Sequence, residues 1–176
     1  LQKLTDEVER SDETFIVHLQ AKHCETLPPV WAVCEVMSLG LLSRWYSNLK
    51  PLKTRSEISR VYGIDEQLLE SWLHHITHVR NLCAHHSRLW NREFTITAKL
   101  PRNKPKGLSV QMSTHSRKIY NSLVILLLMM DKISPQHHWR GRLLDLLNRY
   151  PAIPLASMGF PANWKTFAIW QQGVHA

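Results

Sequence analysis

The stretch from Asp65 to Arg92, DEQLLESWLHHITHVRNLCAHHSRLWNR, decides the fold class that the sequence predicts. Its apolar residues recur at every third or fourth position, which is the period of an amphipathic α-helix. Asp65 stands just before the first of them, where a side-chain oxygen caps the free N–H groups of a helix start. The pattern therefore predicts a helix from about Glu66 to about Ser87, which we call the motif helix.

Helical periodicity continues on both sides of the motif helix. Further helices are predicted from after Ser11 to before Leu27, from Pro29 to Asn48, from Ser56 to Tyr62, from Ser113 to Ile133, and from Pro135 to Tyr150. Phe94, Ile96 and Ala98 alternate with polar residues, which favours a short extended segment directly after the motif helix. We therefore expect an all-α protein, a helical bundle with a short extended or loop insertion.

Length and composition narrow the class of protein. The chain has 176 residues, a net charge of +8 and a pI near 9.7, which fits one globular domain with an anionic partner such as nucleic acid. Its longest apolar run, Leu123 to Met130, is far shorter than the ~20 residues of a membrane-spanning helix. Three cysteines without paired spacing favour free thiols in a reducing cytoplasm. Because the sequence begins with Leu1 rather than Met, we expect it to be part of a longer protein.

The motif helix and the residues just after it hold the densest cluster of reactive side chains. Residues 74–92 contain five His, three Arg and two Asn, but no Asp or Glu. Without carboxylates or paired cysteines, and with arginines that repel a cation, this cluster is a poor metal site. We therefore predict no metal and no cofactor, and we interpret His74, His75 and His78 as a solvated or partly packed helix face.

Arg80 falls on the apolar side of the motif helix, beside Leu73 and Ile76, when successive residues are placed ~100° apart. A guanidinium there needs an acceptor or an anionic partner, because burying it alone is costly. Three interpretations stay open: a structural ion pair inside the fold or at a dimer seam, an aliphatic stem that brings the guanidinium out to solvent, and a ligand for a phosphate group. The third suits RNA cleavage without a metal, in which a His moves a proton to or from a reacting oxygen and an Arg stabilises the charge on phosphate.

The six residues from Arg80 to His85, RNLCAH, have the form Rx4–6H. This pattern and the longer string RNLCAHHSRLWNR, which ends at Arg92, closely resemble the signature of Abi-like (AbiD/AbiF-type) abortive-infection proteins of the HEPN superfamily. Similar residues lie on both sides, from LPPVW at 27–31 to MGFP at 158–161. The resemblance thus spans about Ser11 to Trp170.

The resemblance implies a single HEPN-like helical domain over residues 1–176, the C-terminal part of a longer Abi-family protein. It implies a metal-independent endoribonuclease of the toxin type in phage defence, which cleaves RNA by attack of a 2′-OH on the adjacent phosphate. Arg80 and His85 take the catalytic positions, Asn81 takes the polar position after the Arg, and His86 is a rival to His85 because it also satisfies the spacing. The alternative is a HEPN module that binds RNA or protein without cleavage.

The expected partners are RNA and a second copy of the chain, with no membrane. HEPN domains commonly pair so that two motifs form one site, and the apolar side of the motif helix would then divide between core and dimer seam. In a monomer, by contrast, Arg80 would pair with an acid such as Glu35 or Asp145. An antitoxin or the missing N-terminal region is a further expected partner.

Six cations near the motif are candidates to bind the RNA backbone. Two follow the motif directly and four lie on or beside a loop containing Pro and Gly: Arg88, Arg92, Lys99, Arg102, Lys104 and Lys106. One interpretation of the loop is a phosphate track leading to Arg80 and His85. The other is a solvated loop that contributes only solubility.

Overall fold

The structure is a computed structural model that describes residues 2–102 and 105–171. Nine α-helices and no β-strand occur in this part of the chain, which confirms the predicted helical bundle. Residues 1–49 and 50–176 form two compact units, each held together by its own contacts. The single domain expected from the sequence stays a prediction. No helix of the described residues is long and apolar enough to cross a bilayer.

The first unit contains four helices: α1 (Gln2–Glu9), α2 (Thr14–Lys22), α3 (Val30–Val36) and α4 (Leu39–Asn48). Its core is made of buried aliphatic residues from all four: Leu4, Val8, Ile16, Ala32, Val33 and Leu41. The single helix predicted from Pro29 to Asn48 is wrong, because Ser38 interrupts it. The Ser38 hydroxyl accepts the Leu41 N–H at 3.2 Å and donates to Glu7 at 2.7 Å, so that it starts a second helix.

The second unit contains five helices: α5 (Leu52–Val61), α6 (Glu66–Ala84), α7 (Tyr120–Ile133), α8 (Trp139–Arg149) and α9 (Ala168–Gln171). The motif helix is α6, and it packs against α5 and α7. Asp65 caps it as predicted, since its carboxylate accepts the Leu68 N–H at 2.7 Å. The helix ends three residues earlier than predicted, at Ala84 rather than Ser87.

The segment after the motif helix runs antiparallel along α6 without forming a strand. His75 Nδ1 lies 2.7 Å from the Ile96 carbonyl, Trp72 Nε1 donates to the Lys99 carbonyl at 3.0 Å, and the Lys99 N–H donates to Ser71 Oγ at 2.9 Å. Side chains of the helix thus satisfy backbone groups that a neighbouring strand would otherwise pair. The expected alternation is present in burial, since Phe94 and Ala98 are buried between exposed threonines.

Helix α7 begins seven residues later than the sequence predicts. The Asn121 carboxamide accepts the Ser113 N–H and donates to the Ser113 carbonyl, both at 2.8 Å. This reciprocal pair holds Ser113 in a turn, and the chain enters the helix only at Tyr120. A local side chain therefore competes successfully with helix formation.

The aromatic tail packs as expected from the sequence. Phe160 lies edge-on to Tyr120 and to Trp164, with ring centroids 4.8 and 5.1 Å apart, and Trp164 lies edge-on to Trp170 at 5.0 Å. Trp170 Nε1 donates to the Tyr120 hydroxyl, which donates to the Gln111 carbonyl at 2.8 Å. Burial raises the pKa of Tyr120 to about 12, so this hydroxyl remains a donor.

A buried ion pair joins the end of α7 to α8 and α9. Arg140 Nη2 lies 2.7 and 2.6 Å from the two Asp131 carboxylate oxygens, and Arg140 Nε donates to the Ile169 carbonyl at 2.8 Å. His137 Nε2 donates to Asp131 at 2.9 Å, while its Nδ1 accepts the Trp139 N–H. Every charge in this cluster has an acceptor or donor, as burial requires.

Candidate active site and nucleic-acid interface

The motif helix ends in a Schellman arrangement built from the motif itself. His85 is the C-cap residue, and its N–H donates to the Asn81 carbonyl at 3.0 Å. The His86 N–H donates to the Cys83 carbonyl at 3.0 Å, and the Ser87 N–H donates to the Leu82 carbonyl at 2.8 Å. This pattern needs a left-handed residue after the cap, and His86 supplies it with φ +52°. The backbone role of His86 distinguishes it from His85.

Arg80 and Asn81 contact each other on the surface of α6. Arg80 Nη1 donates to Asn81 Oδ1 at 3.2 Å, and both side chains are exposed. Within the described residues of the second unit, Arg80 has no ion pair, so the pair with Asp145 that the sequence allowed does not form. The guanidinium therefore keeps donors available for a ligand.

The prediction that Arg80 lies within the buried side of the helix is wrong. The buried residues of α6 include Leu68 and His75 on one side of the predicted apolar arc and Thr77 on the other, whereas Arg80 itself is exposed. Leu73 and Ile76, the expected neighbours of Arg80, are only partly buried, and Cys83 is exposed. Since the face containing Arg80 borders solvent, no internal anion is needed to compensate its charge.

His85 is exposed at the end of α6, but a single chain does not bring it onto the face of Arg80. The two residues are five positions apart, which corresponds to about 140° around a helix. A phosphate held by Arg80 and a proton donor or acceptor at His85 thus approach from different sides. Two chains, or a ligand that wraps around the helix end, would bring both groups to one reacting centre.

Among the histidines of the motif helix, His75 is fully buried, which the sequence analysis did not predict. Because the Ile96 carbonyl can only accept, His75 Nδ1 carries the proton, and its Nε2 accepts from Ser122 Oγ at 2.7 Å. Burial lowers the pKa of His75, with smaller contributions from nearby His78 and His74. The ring remains neutral, and its two hydrogen bonds hold the motif helix against α7 and the antiparallel segment.

The outward side of α6 presents a row of polar residues. Their spacing of three and four places them within an arc of about 80°, and we call this row the polar face of α6: Ser71, His74, His78, Asn81 and the C-cap His85. His78 is half-buried with its ring edge-on to Phe94, at 5.9 Å between centroids. Burial, then the charge of Arg92 and then His74, lowers the pKa of His78.

The cations after the motif divide into two groups. Arg88 and Arg92 follow the end of α6, Arg88 exposed and Arg92 half-buried. Lys99 and Arg102 instead line a surface groove with Asp65 and Glu66, at the opposite end of the helix. Lys106 is exposed, and Lys104 lies outside the described residues.

The cations that follow the motif and the cations of the groove lie near opposite ends of α6, so a small ligand would not reach both. Lys99 is bonded to Ser71, which precedes His85 by 14 positions, or about 21 Å of helix rise. The acids that line the groove reduce its attraction for phosphate. Of the six candidate cations, Arg88 and Arg92 are the two that follow His85 most closely in the sequence.

The described residues contain no group of three or more His, Cys, Asp or Glu side chains close enough to hold a metal ion. What the motif end of α6 does offer is the exposed Arg80 guanidinium, the Asn81 amide and exposed imidazoles. Guanidinium and amide groups are side-chain types that can donate hydrogen bonds to an anion.

Comparisons with known proteins agree with the motif. No curated protein and no solved structure matches the chain. The family model described as Abi-like protein matches residues 1–91, which is more than half of the 176 residues and includes the string from Arg80 to Asn91. The chain therefore belongs to the Abi-like protein family.

Proposed function

We propose that this chain is a metal-independent ribonuclease of the HEPN type that acts in phage defence by abortive infection. The family membership supports the defence role. The observation that carries the chemistry is the exposed group at the end of α6, in which Arg80 contacts Asn81 and His85 caps the helix. None of the three is bonded to a carboxylate in the part of the chain that the structure describes.

The proposed reaction is attack by a 2′-hydroxyl on the adjacent phosphorus. The new bond joins the 2′-oxygen to phosphorus, and the bond from phosphorus to the 5′-oxygen breaks, which leaves a 2′,3′-cyclic phosphate and a 5′-hydroxyl. A neutral His85 takes the 2′-proton, and a protonated imidazole gives one to the leaving oxygen. Arg80 binds the phosphate oxygens, where negative charge increases in the transition state, and Asn81 holds the guanidinium in position.

Two chains together fit this scheme better than one. Each chain offers one Arg80 and one His85 on different sides of its helix, whereas the reaction needs an acid, a base and a phosphate ligand. Leu69, Trp72 and Val79 are buried within their own chain, so these three residues would not form the seam of the proposed homodimer. In an isologous contact, the seam would have to include both the side of α6 that carries Arg80 and the side that carries His85.

Single-turnover cleavage of a mixed RNA panel in EDTA tests the proposal. Arg80→Ala and His85→Ala should each reduce the rate at least ~10²-fold, the usual loss for an acid–base or electrostatic group. Arg142→Ala, which removes an exposed arginine of α8, is the matched control and should cleave normally. A 2′-deoxy substitution at the cleaved position should block the reaction. Cleavage that survives both site substitutions would exclude this site.

Mixed dimers test the shared site. When Arg80→Ala chains are mixed with His85→Ala chains, activity should follow the number of intact groups per dimer rather than per chain. Light scattering at the assay concentration gives the oligomeric state. A fully active monomer would contradict the dimer, and binding of RNA without any cleavage product would favour the non-catalytic HEPN module.

A further inference from the structure

The polar face of α6 carries a cluster of donors upstream of the proposed catalytic residues. Thr95 Oγ1, from the antiparallel segment, lies 3.5 Å from His78 Nε2. Arg92 belongs to the same segment, and its charge acts on the His78 ring. The Phe94 ring lies edge-on to the imidazole. Thr95 and His78 thus contact each other across two elements of the fold, and the charge of Arg92 acts on the same imidazole.

The acids nearest to this cluster are already engaged elsewhere. Glu93 lies 3.6 Å from Arg117 and 3.8 Å from Lys118, and Glu70 pairs with Arg55. No salt bridge joins Arg92 to an acid in the described residues. The local field is therefore positive, which attracts an anion and disfavours a cation.

We propose that Arg92, His78 and Thr95 form a phosphate-binding subsite for the RNA strand that flanks the scissile phosphate. The inference rests on the proposed function and assigns a role to two residues outside the Rx4H motif. His78 precedes His85 by seven positions, about 10 Å along the helix axis. The subsite would therefore hold a phosphate of the same strand at about this distance from the cleaved bond.

The chemistry of the three side chains suits a phosphodiester. A guanidinium donates two parallel hydrogen bonds to phosphate oxygens, and a hydroxyl and an imidazole N–H add one each. Arg92 and His74 now disfavour protonation of His78, and a bound phosphate would offset both. Phosphate binding should therefore raise the pKa of His78, so that RNA binding takes up a proton at mildly acidic pH.

Binding of uncleavable 2′-O-methyl oligonucleotides, followed by fluorescence anisotropy in EDTA, tests the subsite. Arg92→Gln should weaken binding of a nine-nucleotide strand about tenfold, the scale of one charge-assisted hydrogen bond. It should also flatten the salt dependence by ~0.7. Arg142→Gln removes the same charge from α8 and should change neither quantity.

An NMR titration of the unmodified chain provides a measurement that needs no variant to fold. The pKa of His78 should rise when the oligonucleotide is added, whereas the ring resonances of exposed His18 should not respond to the oligonucleotide. An unchanged His78 pKa, or an unchanged affinity in Arg92→Gln, overturns the subsite even if Arg80→Ala still abolishes cleavage. Conversely, a subsite response from a chain that cleaves no RNA overturns the ribonuclease and leaves the subsite standing. A chain that binds no oligonucleotide overturns both.

Discussion

His75 Nε2 accepts a hydrogen bond from Ser122 Oγ at 2.7 Å, and both side chains are inaccessible to solvent. The pair joins the motif helix to α7 on the buried side of α6 that adjoins the polar face. A buried imidazole that must stay neutral links the stability of this core to pH.

Unfolding should become easier below pH 6.5 because of His75. Its pKa is lowered in the folded chain from the ordinary 6.5, so the unfolded chain binds the proton first as pH falls. The stabilisation is complete above 6.5 and is lost towards the lower folded-state pKa, with a slope of up to ~1.4 kcal/mol per pH unit for one proton. Urea unfolding from pH 5 to 8 checks this. His75→Gln should show a shallower pH slope than the unmodified chain, and equal slopes would contradict the role of His75.

The substitution His86→Gly should stabilise the chain and leave RNA cleavage intact. A non-glycine residue in the left-handed region destabilises the folded chain by ~1–2 kcal/mol. Glycine removes this strain, but its greater freedom in the unfolded chain offsets part of the gain. We therefore expect a net gain of about 0.5 to 1 kcal/mol in the free energy of unfolding. Thermal unfolding measures the gain, and the RNA panel separates His86 from His85. A ~10²-fold loss of cleavage would make His86 the catalytic residue instead.

Replacing Asp131 should strongly destabilise the second unit. Asp131→Asn leaves the buried Arg140 guanidinium without its negative partner, which typically costs about 3 kcal/mol. Glu57→Gln is the matched control, because it breaks the exposed pair with Lys53 and should cost about 0.5 kcal/mol or less. Chemical denaturation compares the two. Similar small losses in both variants would mean that the Asp131 pair contributes little.

The basic loop should matter for long RNA strands only. Its anchoring point at Ser71 lies about 21 Å from His85, which corresponds to about six stacked nucleotides. Changing Lys99, Arg102, Lys104 and Lys106 to Gln should flatten the salt dependence for a twenty-nucleotide strand by up to ~2.8, at ~0.7 per phosphate contact. Binding of a trinucleotide should not change. Equal effects on both lengths would place the loop beside the catalytic residues, and no effect on either would leave it a solvated loop.

Helix boundaries that depend only on neighbouring residues could be predicted from the sequence. Asp65 caps the motif helix because a carboxylate before an apolar repeat satisfies free N–H groups, and this rule needs no tertiary information. The interruption at Ser38 and the late start of α7 were not predictable in the same way. Glu7 accepts the Ser38 hydroxyl at the interruption, and Asn121 accepts the Ser113 N–H before α7. Where each helix begins therefore depends on which residues meet in the folded chain.

The motif positions were found from sequence, but their surroundings were not. Helical period alone placed Arg80 among apolar residues and His75 on a solvated or partly packed face, whereas Arg80 is exposed and His75 is fully buried. The reason is that His75 finds acceptors and donors on Ile96 and Ser122, which lie 21 and 47 positions away. The hydrophobic pattern of a helix does not predict that a polar residue is buried when its hydrogen-bond partners are distant in sequence.

The family match ends at residue 91, whereas the groups that satisfy the back of the motif helix come later in the chain. Lys99 supplies the acceptor for the Trp72 indole, Ile96 supplies the acceptor for His75 Nδ1, and Ser122 supplies the donor to His75 Nε2. The segment that the family model matches is consequently not sufficient by itself: a fragment cut at Asn91 would leave the Trp72 and His75 rings without these hydrogen-bond partners and would lack α7, against which the motif helix packs. A minimal fragment for grafting or for expression must extend at least through α7.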